Sequence, residues 1–254
     1  MAAPQKVALV TAGTAGLGAQ IARTFAPDYR VVINYNSNAA RASALIEELN
    51  QIPATVPTTD SPRFHAIQAD VGDKASVNRL VEETIKVMGR LDVVASNAGW
   101  TRMTDFMNID DQVNEDDWDR CYLYNVKSHM WLAYAAKPHL EKTEGVIITT
   151  ASVAGITASG SSLPYSTTKA ALIHMTKGLA LICAPKIRVN SVSPGLMLTD
   201  WGLSFPRDKI AATMQKSKLK RLATVEDVAL QVRGLALCTS MTGQNIVLDG
   251  GITL

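Results

Sequence analysis

Cysteine is scarce. Cys121, Cys183 and Cys238 are the three in 254 residues, widely scattered and without a C-x-x-C pair. A disulfide framework is excluded, and a reducing compartment, the cytoplasm, is the expected setting. H-E-x-x-H is absent, and His65, His129, His139 and His174 show no close ligand spacing, so no metal site is expected. Neither sign of charge is in excess: 25 basic residues stand against 23 acidic, a formal net of +2. That balance implies no nucleic-acid partner, and the cluster Lys209, Lys216, Lys218, Lys220, Arg221 reads as a solvated helix face. The acidic stretch Asp110 to Asp119 reads as a loop followed by the first turn of a helix, where carboxylates suit the dipole. Apolar runs fall short of the roughly 18 residues needed to span a membrane. The first residues, Met1 to Lys6, lack a signal-peptide pattern. No Pro/Gly/Ser-rich linker divides the chain. The proline-rich Ile52–Arg63 reads as a long surface loop, and one domain over residues 1–254 is expected.

What is present is a regular alternation. Strand-like segments at Lys6–Val10, Arg30–Ile33, Phe64–Gln68, Leu91–Ala95, Gly145–Thr150, Ile187–Val192 and Asn245–Leu248 have continuous apolar centres. Between them lie helical patterns at Leu17–Phe25, Ala39–Leu49, a segment capped by Asp73 and ending at Met88–Gly89, Glu115–Ala136, Pro164–Cys183 and Val225–Leu237. Such alternation predicts an α/β fold: a doubly wound, parallel seven-stranded sheet of the Rossmann type with helices on both faces. In Glu115–Ala136 the aromatics Tyr122, Tyr124, Trp131 and Tyr134 spread around the helix, which suggests burial by a second subunit.

The first strand runs into Thr11-Ala12-Gly13-Thr14-Ala15-Gly16-Leu17-Gly18. Glycines there let the backbone turn sharply, and the helix start offers free amides and the positive dipole end to a pyrophosphate. Thr11 is placed to cap the turn or to bond a neighbouring strand. Ala12 carries a methyl group that disfavours positive φ, so an ordinary conformation is expected at that position. The second strand ends in Asn34-Tyr35-Asn36-Ser37, with Arg41 one helical turn on. An acid at this place would accept both ribose hydroxyls and repel a 2′-phosphate. Its absence favours NADP(H) over NAD(H).

Tyr165 and Lys169 are four residues apart at the start of a helix and therefore share a face. A free tyrosine, with a pKa of about 10, is a poor base at neutral pH. A neighbouring ammonium and the helix N-terminus both favour the phenolate, which suits Tyr165 to acid/base work. Ser152, at the end of the fifth strand, can donate to a carbonyl oxygen on which negative charge develops.

Taken together, these motifs resemble those of the classical short-chain dehydrogenase/reductases over essentially all of Lys6 to Leu254. The family's Thr-Gly-x3-Gly-x-Gly matches Thr11 to Gly18, with Ala12 replacing the first glycine. Its Asn-Asn-Ala-Gly matches Ser96-Asn97-Ala98-Gly99, with Ser96 replacing the first asparagine. Its serine thirteen residues before Tyr-x3-Lys matches Ser152, Tyr165 and Lys169, and its catalytic asparagine falls on Asn125. Asn190-Ser191-Val192-Ser193-Pro194-Gly195 with Thr199, and Thr242-Gly243-Gln244 with Asp249-Gly250-Gly251, complete the series.

The resemblance implies a catalytic set of Asn125, Ser152, Tyr165 and Lys169. Tyr165 would transfer the proton, Lys169 would also bond the nicotinamide ribose, and Asn125 would hold a relay water. It implies cofactor contacts from Thr11, Gly13, Thr14, Ala15, Gly16, Leu17 and Gly18. Others would come from Asn34, Tyr35, Asn36 and Ser37, and from Asp70 and Val71 at the adenine. Asn97, Ala98 and Gly99, and then Pro194, Gly195, Leu196 and Thr199 at the nicotinamide, complete the set. It implies a homotetramer or homodimer. The Asn34–Ser37 stretch looks like that of NADPH-dependent fungal ketoreductases acting on polyhydroxynaphthalenes.

The expected reaction interconverts a ketone and a secondary alcohol. Leu196–Leu222 is the expected substrate lid. Its Met197, Trp201, Leu203 and Phe205, with Trp100, Met103 and Phe106, suggest an apolar wall and a neutral cyclic, aromatic or polyketide-like ketone. Arg102 and Arg207 are the candidates for a carboxylate clamp. The alternatives are a 3-oxoacyl thioester reductase, with Lys209, Lys216 and Lys218 near a carrier phosphate, a sugar or polyol dehydrogenase, and a non-catalytic NADP-binding regulator.

Overall fold

The structure is a computed structural model that describes residues 5–57 and 62–254. Seven parallel strands, β1 (Val7–Val10), β2 (Arg30–Tyr35), β3 (Phe64–Gln68), β4 (Val93–Ser96), β5 (Val146–Thr150), β6 (Arg188–Pro194) and β7 (Asn245–Leu248), form one sheet in the order β3-β2-β1-β4-β5-β6-β7. The chain winds outward from β1 to β3, then crosses to β4 on the other side of β1. The crevice beyond the carboxyl ends of β1 and β4 is the topological switch point of such a sheet, the place where ligands collect.

Successive strand residues point to opposite faces, and both faces are covered. Ala8 and Val10 pack with α1 (Gly16–Phe25), α2 (Ala39–Gln51) and α8 (Val225–Leu237), whereas Val7 and Leu9 pack with α3 (Lys74–Met88), α5 (Ser128–Leu140) and α6 (Leu163–Cys183). This double coverage explains why β1, β2, β4 and β5 carry continuous apolar runs rather than an alternation. The expected caps are present. The Asp73 carboxylate accepts from the Ala75 and Ser76 amides, and Gly89 closes α3 at φ 75°. Pro164 lies in the first turn of α6, which the Ser162 hydroxyl caps through the Tyr165 amide.

Two features depart from the sequence reading. The Glu115–Ala136 helix extends to Leu140 and is interrupted: α4 (Glu115–Tyr122) passes through a π turn at Leu123–Lys127 before α5 begins. The segment after β6 contains α7 (Arg207–Lys216), none of whose residues is buried; Lys209 and Lys216 of the basic cluster lie on it as expected, whereas Lys218, Lys220 and Arg221 follow it in a turn. The Ile52–Arg63 loop lies partly outside the described residues.

Candidate active site

The glycine-rich turn leaves β1 at Thr11, whose amide bonds Ala95 O in β4. The Thr11 hydroxyl accepts from the Asn97 and Ala98 amides, so it serves the neighbouring strand. Ala12 is not ordinary: its φ is 49°. The chain must reverse here, and Asn34 holds the reversal, its side-chain oxygen accepting from Ala12 N at 3.3 Å and its backbone oxygen from Gly13 N at 2.9 Å. Gly16 also takes a positive φ, 47°, and Gly18 packs so closely that a Cβ would stand 2.1 Å from Ala12 O. Ala15 begins α1 without a side-chain cap, and the first turn carries no acidic residue. The amides of Gly16, Leu17 and Gly18 thus open a helix whose first turn carries no carboxylate. That suits a pyrophosphate. Thr14 and Ala15 are half-buried, and Leu17 is buried in the core, which leaves its backbone for a ligand.

Asn34 requires a correction. It is 2% exposed, and its amide nitrogen donates to Tyr35 O, Ile67 O and Ala69 O. Its side chain is spent on joining the glycine turn to β3 and is not offered to a ribose or phosphate. Tyr35 packs partly into the core, whereas Asn36 and Ser37 are exposed. Asp70 accepts from Gly72 N and from the Tyr124 hydroxyl, with Val71 at its side nearly buried. No sequence pattern had linked Asp70 to the π turn.

At the chemical centre, Tyr165 and Lys169 rise from the first turns of α6, and the Lys169 ammonium lies 5.6 Å from the Tyr165 ring centre. Lys169 donates to Thr150 O at 2.7 Å, which ties α6 to the end of β5. The Ser152 hydroxyl accepts from Ala154 N, hydrogen-bonds the phenol and lowers its pKa. Burial is the larger effect. It pushes Tyr165 up to about 12 and draws Lys169 down to about 7. Desolvation penalises both charged forms and outweighs the Ser152 hydrogen bond.

Asn125 sits in the π turn, fully buried. Its oxygen accepts from Trp100 N at 2.7 Å, and its nitrogen donates to Trp100 O and the Thr168 hydroxyl. Gly99 lies against both active-site groups: a Cβ there would be 3.0 Å from the Asn125 oxygen and 3.5 Å from the Lys169 nitrogen. Asn97 spans the switch point, donating to Thr11 O and accepting from the Thr150 hydroxyl.

The Ser96 departure has a local partner. Its hydroxyl is 2.6 Å from Nδ1 of His129, one turn beyond Asn125, and both side chains are buried. Burial and the Lys169 charge hold His129 neutral, down at about 3.

From β6, Pro194 ends the strand and Gly195 passes so close to Asp249 that a Cβ would meet its Cα at 3.0 Å. Leu196 leads into a turn in which Thr199 lies against Gly16 and the Trp201 ring meets Tyr165 edge-to-face, 5.5 Å between centres. The sequence had grouped Trp201 with other apolar residues without placing it on the tyrosine. Arg102, a candidate clamp, is engaged by Asp117 at 2.6 Å. Among the described residues no cluster fit to hold a metal occurs, and no helix is long and apolar enough to cross a membrane.

A doubly wound sheet with a Tyr-Lys-Ser-Asn cluster at the ends of its strands defines an oxidoreductase that interconverts C=O and CH–OH with a nicotinamide dinucleotide. The chain belongs to the short chain dehydrogenase family, whose model matches residues 6–209. It is 34% identical to "Granaticin polyketide synthase putative ketoacyl reductase 2" of Streptomyces violaceoruber, over 98% of this chain and 96% of that one. A short chain dehydrogenase from Burkholderia cenocepacia, solved in complex with NADP, superposes with a TM-score of 0.87 at 31% identity, covering 99% of each chain. A 7 alpha-hydroxysteroid dehydrogenase complexed with NADH and 7-oxo glycochenodeoxycholic acid superposes with a TM-score of 0.84 at 28% identity, covering 98% of this chain and 94% of that one.

Proposed function

We propose that this enzyme reduces a neutral, apolar ketone of cyclic, aromatic or polyketide-like structure to a secondary alcohol, with NADPH preferred over NADH. The bound dinucleotide supplies the hydride. The protein's own groups do the rest. Tyr165, held protonated by burial, is already the acid that reduction needs and gives its phenolic proton to the substrate oxygen. The Ser152 hydroxyl, which hydrogen-bonds the Tyr165 phenol in the free site, would turn its proton to the same substrate oxygen. Lys169, drawn down to about 7 by burial and 5.6 Å from the Tyr165 ring centre, would return a proton to Tyr165, with Asn125 on the solvent side of the lysine holding the relay water.

The observation that carries the substrate reading is Trp201 on the Tyr165 ring. An aromatic wall beside the proton donor favours a flat or apolar ketone, and Arg102 is unavailable as a carboxylate clamp. The polyketide-synthase ketoacyl reductase among the relatives supports the same class. NADPH preference is supported by the lack of a carboxylate at the end of β2, the exposure of Asn36 and Ser37, and the half-exposed Arg41 beside them. Residues 196–222 act as the lid over this pocket.

The apolar residues Met130, Tyr134, Leu181 and Ile182, exposed on α5 and α6, support burial against a second copy and hence a homodimer or homotetramer. A cytoplasmic setting fits the free Cys121, Cys183 and Cys238.

A second reading, 3-oxoacyl thioester reduction, is favoured by Lys209. Its ammonium bonds Gly160 O at 3.3 Å, beside Tyr165, and so sits near the cleft. NADPH oxidation with a panel of cyclic ketones and short 3-oxoacyl thioesters separates the two. Faster turnover of the thioesters contradicts the first reading. Fluorescence titration with both dinucleotides tests cofactor choice, and tighter NADH binding contradicts it.

A further inference from the structure

Three consecutive residues of the lid touch three parts of the site. Thr199 lies against Gly16 in the phosphate turn, Asp200 pairs with Arg41 at 3.4 Å, and Trp201 rests on the catalytic tyrosine. Residues 199–204 are tied together by hydrogen bonds. Gly202 N bonds the Thr199 hydroxyl, Leu203 N bonds Thr199 O, and the Ser204 hydroxyl bonds Asp200 O. The packing is close: a Cβ on Gly202 would stand 1.8 Å from Met197 O.

Arg41 is 159 residues from Asp200 in sequence and belongs to the first turn of α2, where Asn38 caps its amide. Its other neighbours in sequence are the exposed Asn36 and Ser37, where the 2′-phosphate of NADP(H) would lie. The pair with Asp200 is solvent-exposed, 49% and 82% at the two side chains. Such pairs contribute only about 0–1 kcal/mol. A phosphate dianion, bonded by a guanidinium in a forked geometry, is the stronger partner.

We infer that Asp200 and the 2′-phosphate compete for Arg41, so that the pair lowers the affinity of the free protein for NADP(H). Asp200 is then a specificity-tuning residue: it occupies the guanidinium until the phosphorylated dinucleotide takes it. NADH, which lacks the phosphate, leaves the pair closed. The inference rests on the NADP(H) reading.

The test is a double-mutant cycle of Arg41→Gln and Asp200→Asn, read as Kd by fluorescence titration with NADPH and NADH. Both side chains are on the surface, and circular dichroism checks the fold. Wild-type protein should bind NADPH more tightly than NADH. Arg41→Gln should weaken NADPH by about tenfold. Asp200→Asn should tighten NADPH severalfold and leave NADH unchanged, and its effect should vanish in the Arg41→Gln background.

Wild-type preference for NADH overturns both the cofactor reading and this inference. Wild-type preference for NADPH combined with an Asp200→Asn Kd indistinguishable from wild type overturns the competition alone. So does an Arg41→Gln variant that keeps wild-type affinity for NADPH.

Discussion

Ala12 holds a backbone conformation that L residues avoid, at a cost of about 1–2 kcal/mol. Its methyl group is exposed and packs against nothing that repays the strain. Ala12→Gly relieves the strain but frees the unfolded chain, which offsets about 0.4–1 kcal/mol. The expected outcome is a net gain of up to about 1 kcal/mol in urea unfolding, with dinucleotide affinity retained. His129 gives a second residue-scale prediction. In the unfolded chain it protonates near pH 6.5. In the folded protein burial holds it neutral down to about 3. Between those values the unfolded state binds the extra proton, so stability falls as pH falls through the window. From pH 7 to pH 5 the loss attributable to His129 is about 2 kcal/mol. His129→Gln should flatten that part of the stability profile, whatever its effect on stability at pH 7. An unchanged slope contradicts the assignment.

At the scale of elements, the strand and helix order was legible because apolar periodicity and caps are local. β3, β7 and α8 match their sequence boundaries, and Asp73 and Gly89 delimit α3 as expected. The π turn was not legible, since Leu123–Lys127 differs from an ordinary helix only in which carbonyl each amide finds. That widening sits at the candidate active site, and such turns are frequent at functional sites. It carries Asn125, which bonds both the N–H and the C=O of Trp100. Tyr165, Lys169 and Ser152 were readable as candidates from their spacing and position, whereas Asn125 came only from the family resemblance. The electrostatics were not readable, because desolvation depends on what the fold packs around Tyr165 and Lys169. Asn34 shows the same limit: its residue type suggested a ligand contact, and its burial makes it a brace. The lid supplies the element-scale prediction. Trp201→Ala removes an aromatic contact worth about 0.5–1.5 kcal/mol and a wall of the pocket. KM for cyclic or aromatic ketones should rise by up to about tenfold while kcat for a small acyclic ketone changes little. Equal effects on both ketones would contradict the pocket assignment.

For the whole molecule, the parallel order β3-β2-β1-β4-β5-β6-β7 gathers residues from distant parts of the chain at one edge of the sheet. Thr11, Asn97, Ser152 and Pro194 come from four different strand ends. The exposed Leu181 and Ile182 on α6, 82% and 71% accessible, are costly to leave in water. Sedimentation should show a homo-oligomer, and the double change Leu181→Lys, Ile182→Lys should shift it toward smaller species. A wild-type monomer at micromolar concentration would contradict the interface.

The account as a whole depends on Tyr165 as the proton donor to a carbonyl oxygen. The most direct measurement is NADPH oxidation with the ketone panel by wild type and by Tyr165→Phe, with NADPH affinity determined for both. Loss of the phenolic proton should lower kcat by about a hundredfold or more while the NADPH Kd stays within a few fold. Turnover by Tyr165→Phe comparable to wild type would contradict the account.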